Sequence, residues 1–258
     1  MTVELNHRID GSGPRVLLLH AVGMDLTLLD ALAAIMAKDF TVLRADLRGH
    51  GKSPHVPAAS LEDYADDVHA LLTRLSFAPC AVAGFAMGGM VTQALAVKYP
   101  QDTRALMIAS CAHAQTPESR DALLSRGASA KRDGFAKILD ETMQRWFSDG
   151  FIARGGDAAV RRRLLDDNLD AWVNAFDAMA RIDTAPRLKA IKVPTLCMVG
   201  DADKSTPPPV VKAIADAIPG ARFAVIPGGT HMPFVEIPET VAKVVGRFFR
   251  EVLPNTSG

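Results

Sequence analysis

The chain has 258 residues, and its 29 lysines and arginines balance its 29 aspartates and glutamates, so the formal net charge is zero. This balance excludes the global positive field that attracts nucleic acid or an anionic membrane surface. Hydrophobic residues make up 48% of the chain and charged residues 22%, proportions that are typical of a soluble globular protein with a sizeable core.

The N-terminal segment and the cysteines indicate the compartment. The first eight residues lack the apolar region of a secretion signal, and no apolar run approaches the roughly 20 residues that span a bilayer. We therefore expect a cytoplasmic protein. Cys80, Cys111 and Cys197 lie in or beside strand-like apolar stretches, so we expect all three to be structural thiols.

Predicted strands and helices alternate over the first 110 residues. Loose alternation over residues 2–9 indicates an edge strand, and the apolar run 15–19 is typical of a parallel strand that is covered on both faces. The elements predicted next are a helix near 28–36, a strand at 40–43, a loop at 46–54, a helix at 61–75 that begins after the capping residue Ser60, a strand at 79–83, a helix at 90–99 and a strand at 104–108. This alternation predicts a doubly wound, mostly parallel α/β sheet.

The alternation is interrupted once, between residues 115 and 190. This stretch contains no strand-like run and reads as several amphipathic helices, so we predict a helical cap at 115–190 inserted into a core formed by 1–114 and 191–258. The alternation then resumes with a strand at 194–199, a helix near 208–217, a strand at 221–226 and a helix at 238–252, followed by a loose tail at 254–258.

The segment from Ala83 to Gly89, with the sequence AGFAMGG, joins a predicted strand to a predicted helix. Its glycine spacing matches the pattern G-x-S-x-G, in which a sharp strand-to-helix turn exposes a nucleophilic serine at the positive end of a helix. Gly84 and Gly88 supply the room that such a turn needs. The central residue is Ala86, whose methyl group cannot attack a substrate.

Three further loops follow predicted strands, and the carboxyl ends of parallel strands meet at one edge of a sheet. Asp201 and Asp203 follow the strand at 194–199, and His231 lies on a glycine-rich loop after the strand at 221–226. The turn at residues 20–23 is placed to aim backbone amides at the same edge. The order along the chain is therefore nucleophile position, acid and histidine.

With these motifs the chain resembles the α/β-hydrolase superfamily over nearly its whole length. Three segments, at 25–27, 145–147 and 217–221, resemble the 3-oxoadipate enol-lactonase group and its carboxylesterase relatives. The resemblance implies that Ala86 occupies the nucleophile position, that Asp203 is the triad acid and that His231 is the general base. It also implies that the backbone N–H groups of Val22 and Met87 form the oxyanion hole. Asp201 remains the alternative acid, although the G-x-x-D spacing of the family favours Asp203.

We expect the substrate pocket to lie between the sheet and the cap and to be mostly apolar. The residues predicted to bind substrate are His20, Ala21, Trp146, Phe147, Trp172 and Phe176. His113 and Arg145 are candidates to meet an anionic substrate, and both are equally compatible with facing water. We expect His20 and His50 to hold loops by hydrogen bonds, and we expect no metal and no cofactor because no histidine pair has zinc-ligand spacing.

Three hypotheses account for Ala86. The first is a serine-type carboxylic-ester or lactone hydrolase whose nucleophile has been replaced, most simply by deliberate mutation to trap a substrate, so that this chain has little or no activity. The second is a natural non-hydrolytic enzyme, a lyase or a cofactor-free oxygenase, that uses His231. The third is a receptor-like protein that holds a small ligand under the cap. The intact acid, histidine and glycines favour the first, with a small ester or lactone as substrate; the oligomeric state stays open.

Overall fold

The core of the protein is a single twisted sheet. In the computed structural model, which describes residues 1–253, seven strands form this sheet. The strands are β1 (His7–Asp10), β2 (Arg15–Leu19), β3 (Thr41–Ala45), β4 (Cys80–Phe85), β5 (Thr103–Ala109), β6 (Thr195–Gly200) and β7 (Arg222–Ile226). Their order is β1-β3-β2-β4-β5-β6-β7, with β1 antiparallel to β3 and the other neighbouring pairs parallel. The doubly wound, mostly parallel sheet predicted from the alternating pattern is confirmed.

Helices cover both faces of this sheet. The α-helices are α1 (Asp30–Met36), α2 (Leu61–Arg74), α3 (Met87–Lys98), α4 (Pro117–Asp133), α5 (Phe135–Trp146), α6 (Asp149–Ala153), α7 (Ala158–Leu165), α8 (Leu169–Ala180), α9 (Pro208–Ala217), α10 (Pro233–Glu236) and α11 (Pro238–Val252). Short 3-10 turns lie at Leu26–Leu29, Pro100–Asp102 and Ala185–Ala190. The chain reverses its direction across the sheet after β3, and right-handed crossovers then place α1 and α2 on opposite faces. Accordingly, α1 packs with α11 and α2 packs with α3.

The inner strands are apolar throughout because both of their faces are covered. All six residues of β4 are buried, as are the last four residues of β2. The three cysteines are unpaired and buried, as expected for structural thiols, and burial raises the pKa of the Cys197 thiol to about 12. The predicted edge strand is shorter than the alternation at 2–9 indicates, because residues 1–6 form no ladder and β1 begins at His7.

The helices α4 to α8, which we call the cap, lie between β5 and β6. The chain enters and leaves the cap at adjacent points, since the Thr184 N–H donates to the His113 carbonyl at 2.8 Å. Gln93 on α3 ties both points to the core: its Nε2 donates to the Ala112 carbonyl at 3.0 Å, and its Oε1 accepts from Thr184 Oγ1 at 2.7 Å. The cap therefore rests on the helix that follows Ala86.

None of the helices in residues 1–253 is both long enough and apolar enough to cross a membrane. The tail at 254–258, for which the sequence predicts no regular element, lies outside the described residues.

Candidate active site

Ala86 occupies a strained turn between β4 and α3. Its φ of 49° and ψ of −114° lie in a region that residues other than glycine rarely adopt. The turn is held on both sides, because the Ala86 N–H donates to the Ala109 carbonyl at 2.9 Å and its carbonyl accepts from Met90 at 3.1 Å. Strain of this kind persists where the surrounding structure fixes it, which is common at functional sites. The turn is a strained strand-to-helix turn of the kind that a nucleophile elbow requires, and its central side chain is a methyl group.

Gly84 and Gly88 let α3 approach the sheet through backbone contacts. A Cβ on Gly84 would lie 2.2 Å from the Gly88 carbonyl oxygen, and a Cβ on Gly88 would lie 2.4 Å from the Leu19 carbonyl oxygen. Neither side chain could be accommodated without moving the helix. The two glycines therefore set the height of the Ala86 turn above the sheet.

His231 and Asp203 form a buried hydrogen-bonded pair. The His231 Nδ1 lies 2.9 Å from Asp203 Oδ1 and 3.0 Å from Oδ2, and the Asp203 side chain is fully buried. The backbone N–H groups of Ser205 and Thr206 also donate to Asp203 Oδ1, at 2.9 and 2.8 Å. A carboxylate accepts only, so Nδ1 carries a proton; in the neutral ring the lone pair is then on Nε2. This is the histidine tautomer that a general base needs.

Asp201 has a different environment. It is exposed, and its Oδ1 accepts from the Gly228 N–H at 2.8 Å. Asp201 therefore braces the loop that carries His231, whereas Asp203 contacts the imidazole itself.

The amides of Val22 and Met87 are placed to stabilise negative charge. Both residues line the same cavity as Ala86 and His231. Neither N–H donates to an acceptor within residues 1–253. The Met87 amide is the first of α3, where the helix dipole is positive, so the pair is suited to binding an oxyanion.

His20 supports the turn that carries Val22. Its Nδ1 donates to the Ala21 carbonyl at 2.8 Å, and its Nε2 accepts from the Leu47 N–H at 2.9 Å. Burial, with a further contribution from His50, lowers the pKa of His20 to about 4, so the ring is neutral. The His20 and His50 ring centres lie 5.2 Å apart. The Nδ1 of His50 lies 3.0 Å from the Arg48 carbonyl oxygen, so each histidine makes a hydrogen bond to loop backbone.

A cavity of about 390 Å³ lies between the sheet edge and the cap. Of the six residues predicted to bind substrate, Trp146 and Phe176 line it. The other four lie elsewhere: His20 and Ala21 brace the turn behind the cavity, Phe147 stacks on Phe151, and Trp172 packs against Phe135, Trp146 and Phe176 inside the cap. Trp146 is the last residue of α5, whereas Phe147 has an extended backbone with φ −126° and ψ 164°, so the two side chains point to different sides.

Sequence analysis missed several polar residues in and beside this cavity, of which three bear on the site. Ser110 lines it directly after β5, with a φ of 53°, and its buried Oγ has no partner among the described residues. Arg126 lines it from α4. Glu236 accepts hydrogen bonds from Ser148 on the cap and from Thr230 beside His231, linking the cap to the histidine loop. Of these three residues, only Ser110 could have been predicted from the sequence, because it directly follows a strand, as Asp203 and His231 follow theirs.

Comparison with known proteins agrees with this fold. A family model described as "Serine aminopeptidase, S33" matches residues 13–238. The chain is an α/β hydrolase. The α/β hydrolase is 25% identical over 252 residues to 3-oxoadipate enol-lactonase 1 of Acinetobacter baylyi, covering 96% of this chain and 94% of the relative.

Two solved structures extend the match. A thermophilic esterase from Thermogutta terrifontis superposes with a TM-score of 0.90 at 30% identity, covering 98% of this α/β hydrolase and 95% of the esterase. The enol-lactonase from Burkholderia xenovorans LB400 superposes with a TM-score of 0.90 at 28% identity, covering 96% and 97% of the two chains. The relatives are named as esterases and lactonases, which supports a hydrolase and does not favour the non-hydrolytic alternative.

Proposed function

We propose that this α/β hydrolase is built to hydrolyse a small carboxylic ester or lactone through an acyl-enzyme, with alanine at the position of the nucleophilic serine. One observation carries the proposal. The Asp203–His231 pair, the free amides of Val22 and Met87 and the strained Ala86 turn all adjoin one cavity. The esterase and lactonase relatives support the choice of acyl transfer over other reactions.

With serine at position 86, each group has a role. His231 Nε2 takes the proton of the hydroxyl as its oxygen attacks the carbonyl carbon, and Asp203 stabilises the imidazolium that forms. The amides of Val22 and Met87 bind the oxyanion, where one such donor is worth about 10²- to 10³-fold in rate. The imidazolium then protonates the departing alkoxide. Water, activated by His231, releases the acid and restores the serine.

Alanine at position 86 removes the attacking hydroxyl, so no acyl-enzyme forms, although the other groups of the site are still in place. Loss of a triad serine costs about 10⁶-fold in turnover, so the chain as it stands has little or no activity. The retained Asp203–His231 pair and elbow glycines have no other evident use. This combination supports replacement of a serine in an otherwise functional site, as in a deliberate mutation that traps substrate.

The test is a paired assay of the chain and its Ala86→Ser variant on short aryl esters and small lactones. We expect hydrolysis only with serine, and its loss when His231→Ala is added to that background. A folded Ala86→Ser variant that hydrolyses nothing in the panel would contradict the proposal. Hydrolysis by the unaltered chain that His231→Ala abolishes would also contradict it, because His231 would then act without an acyl-enzyme at residue 86.

A further inference from the structure

Arg126 presents an unpaired guanidinium to the cavity. It lies on α4 and lines the same cavity as Ala86 and His231, with its guanidinium carbon 5.4 Å from the centre of the Phe176 ring. Its Nη2 is buried and has no hydrogen-bond partner within residues 1–253. No carboxylate of the described chain lies within ion-pair distance of it. A buried donor without a partner is costly, so this arrangement suits a group that arrives with the substrate.

Arg145 on α5 adds a second guanidinium to the same wall. It lines the cavity, and its Nε is buried without a partner in the described part of the chain. Its Nη2 contacts Glu141 at 3.1 Å, but the Glu141 side chain is 74% exposed, so this pair is weak. Burial, with a further contribution from Arg145, lowers the pKa of Arg126 to about 10, which leaves it charged at neutral pH. The two guanidinium groups of Arg126 and Arg145 face one carboxylate, that of Glu141, so one positive charge is uncompensated.

The chemistry of this wall favours a carboxylate. A carboxylate carries one negative charge, which equals the uncompensated charge, and its two oxygens match the planar fork of a guanidinium. A phosphate dianion would bring a second negative charge into a cavity that Met90, Leu123 and Met179 make largely apolar. The two arginines belong to the cap, whereas Ala86 belongs to the sheet edge, so a bound anion lies across the cavity from the reacting carbonyl.

We propose that Arg126 and Arg145 form a carboxylate-binding subsite, so that the substrate is an ester or lactone with a free carboxylate remote from the bond that is cleaved. This assignment rests on the proposed function, because it names the substrate class of that site. Arg145 is one of the two residues that the sequence singled out for an anionic substrate; its partner in this role is Arg126 rather than His113.

The first test measures binding to the unaltered chain, in which Ala86 prevents turnover. Isothermal titration is done with monomethyl glutarate, which carries the free carboxylate, and with dimethyl glutarate, which has the same carbon skeleton without the charge. We expect the monoester to bind at least about tenfold more tightly, and Arg126→Met to weaken its binding by about 10- to 100-fold while the diester changes less than about twofold. Inorganic phosphate should not displace the monoester.

Two further variants control for structural effects. Arg120→Met alters an exposed arginine on the same helix and should leave both ligands unaffected. Arg145→Met alters the other member of the pair, so it tests the subsite without removing the guanidinium that packs on Phe176. Equal binding of the two esters, equal effects of Arg120→Met and Arg126→Met, or phosphate binding as tight as that of the monoester would overturn the subsite.

The Ala86→Ser background separates this inference from the proposed function. Hydrolysis of both glutarate esters with equal kcat/KM, unchanged by Arg126→Met, would refute the subsite and leave the hydrolase intact. Charge-selective binding that depends on Arg126, with no hydrolysis of any ester or lactone, would support the subsite and refute the hydrolase. Preferred hydrolysis of the monoester, lost in Arg126→Met through a rise in KM, is the result we expect.

Discussion

The contact between α3 and the sheet can be tested by a single methyl group. In Gly88→Ala, the new Cβ would lie 2.4 Å from the Leu19 carbonyl oxygen and 2.6 Å from the His20 carbonyl oxygen. Ordinary van der Waals contact begins near 3.4 Å, so α3 must retreat by about 1 Å. Leu19 ends β2 and cannot yield easily, because β2 is paired on both sides, by β3 and β4.

The expected magnitude combines two opposing terms. Overpacking against backbone costs about 3 kcal/mol, the upper end of its usual range, because no side chain can turn aside. Alanine in place of glycine inside a helix returns about 1 kcal/mol. We therefore expect Gly88→Ala to lower the free energy of unfolding by about 2 kcal/mol. In the Ala86→Ser background, a shift of about 1 Å in the nucleophile and the Met87 amide should lower kcat about 100-fold.

Gly246→Ala is the matched control. Gly246 lies inside α11, and a Cβ there would lie 3.3 Å from the flexible end of Arg250 and in ordinary contact with the Phe40 ring, at 3.9 Å. The same substitution should raise the free energy of unfolding by about 0.5–1 kcal/mol and leave kcat unchanged. Urea denaturation of each glycine variant, made in the chain with Ala86, measures the free energy of unfolding. Steady-state kinetics of the same variants in the Ala86→Ser background measure kcat. A Gly88→Ala variant as stable as Gly246→Ala, or one that loses stability without losing kcat, would contradict the predicted displacement of α3.

Two further predictions concern the acid and the buried histidine. In the Ala86→Ser background, Asp203→Asn should lower kcat about 10⁴-fold, because the asparagine allows the wrong histidine tautomer. Asp201→Asn should have only a small effect on kcat. Similar losses in the two variants would contradict the assignment of Asp203 as the acid. An unfolded histidine titrates near pH 6.5 and His20 near 4, so between these values only the unfolded chain gains that proton. The free energy of unfolding should fall over this window as the pH falls, and His20→Asn should make the slope in urea denaturation shallower; an unchanged slope would argue against it.

In the cap, the hydrophobic pattern of the sequence predicts the helices but not the direction of their side chains. A stretch without strand-like runs predicted helices at 115–190, and α4 to α8 lie there. The same pattern could not say which aromatic residues face the cavity. Trp146 and Phe147 are neighbours in sequence, yet one lines the cavity and the other stacks on Phe151, because the backbone changes from helical to extended between them.

The sequence by itself determined the sheet, the elbow and the set of loops that bear the candidate residues. These features depend on local signals: the apolar character of strands buried on both faces, the spacing of Gly84 and Gly88, and strand ends that converge in any parallel sheet. Only the tertiary structure decided that Asp203 rather than Asp201 contacts His231. It alone brought Arg126, 40 residues after Ala86, to the same cavity without a carboxylate partner in the described chain. Such relations depend on side-chain direction and on the packing of the cap over the sheet, which no local periodicity encodes.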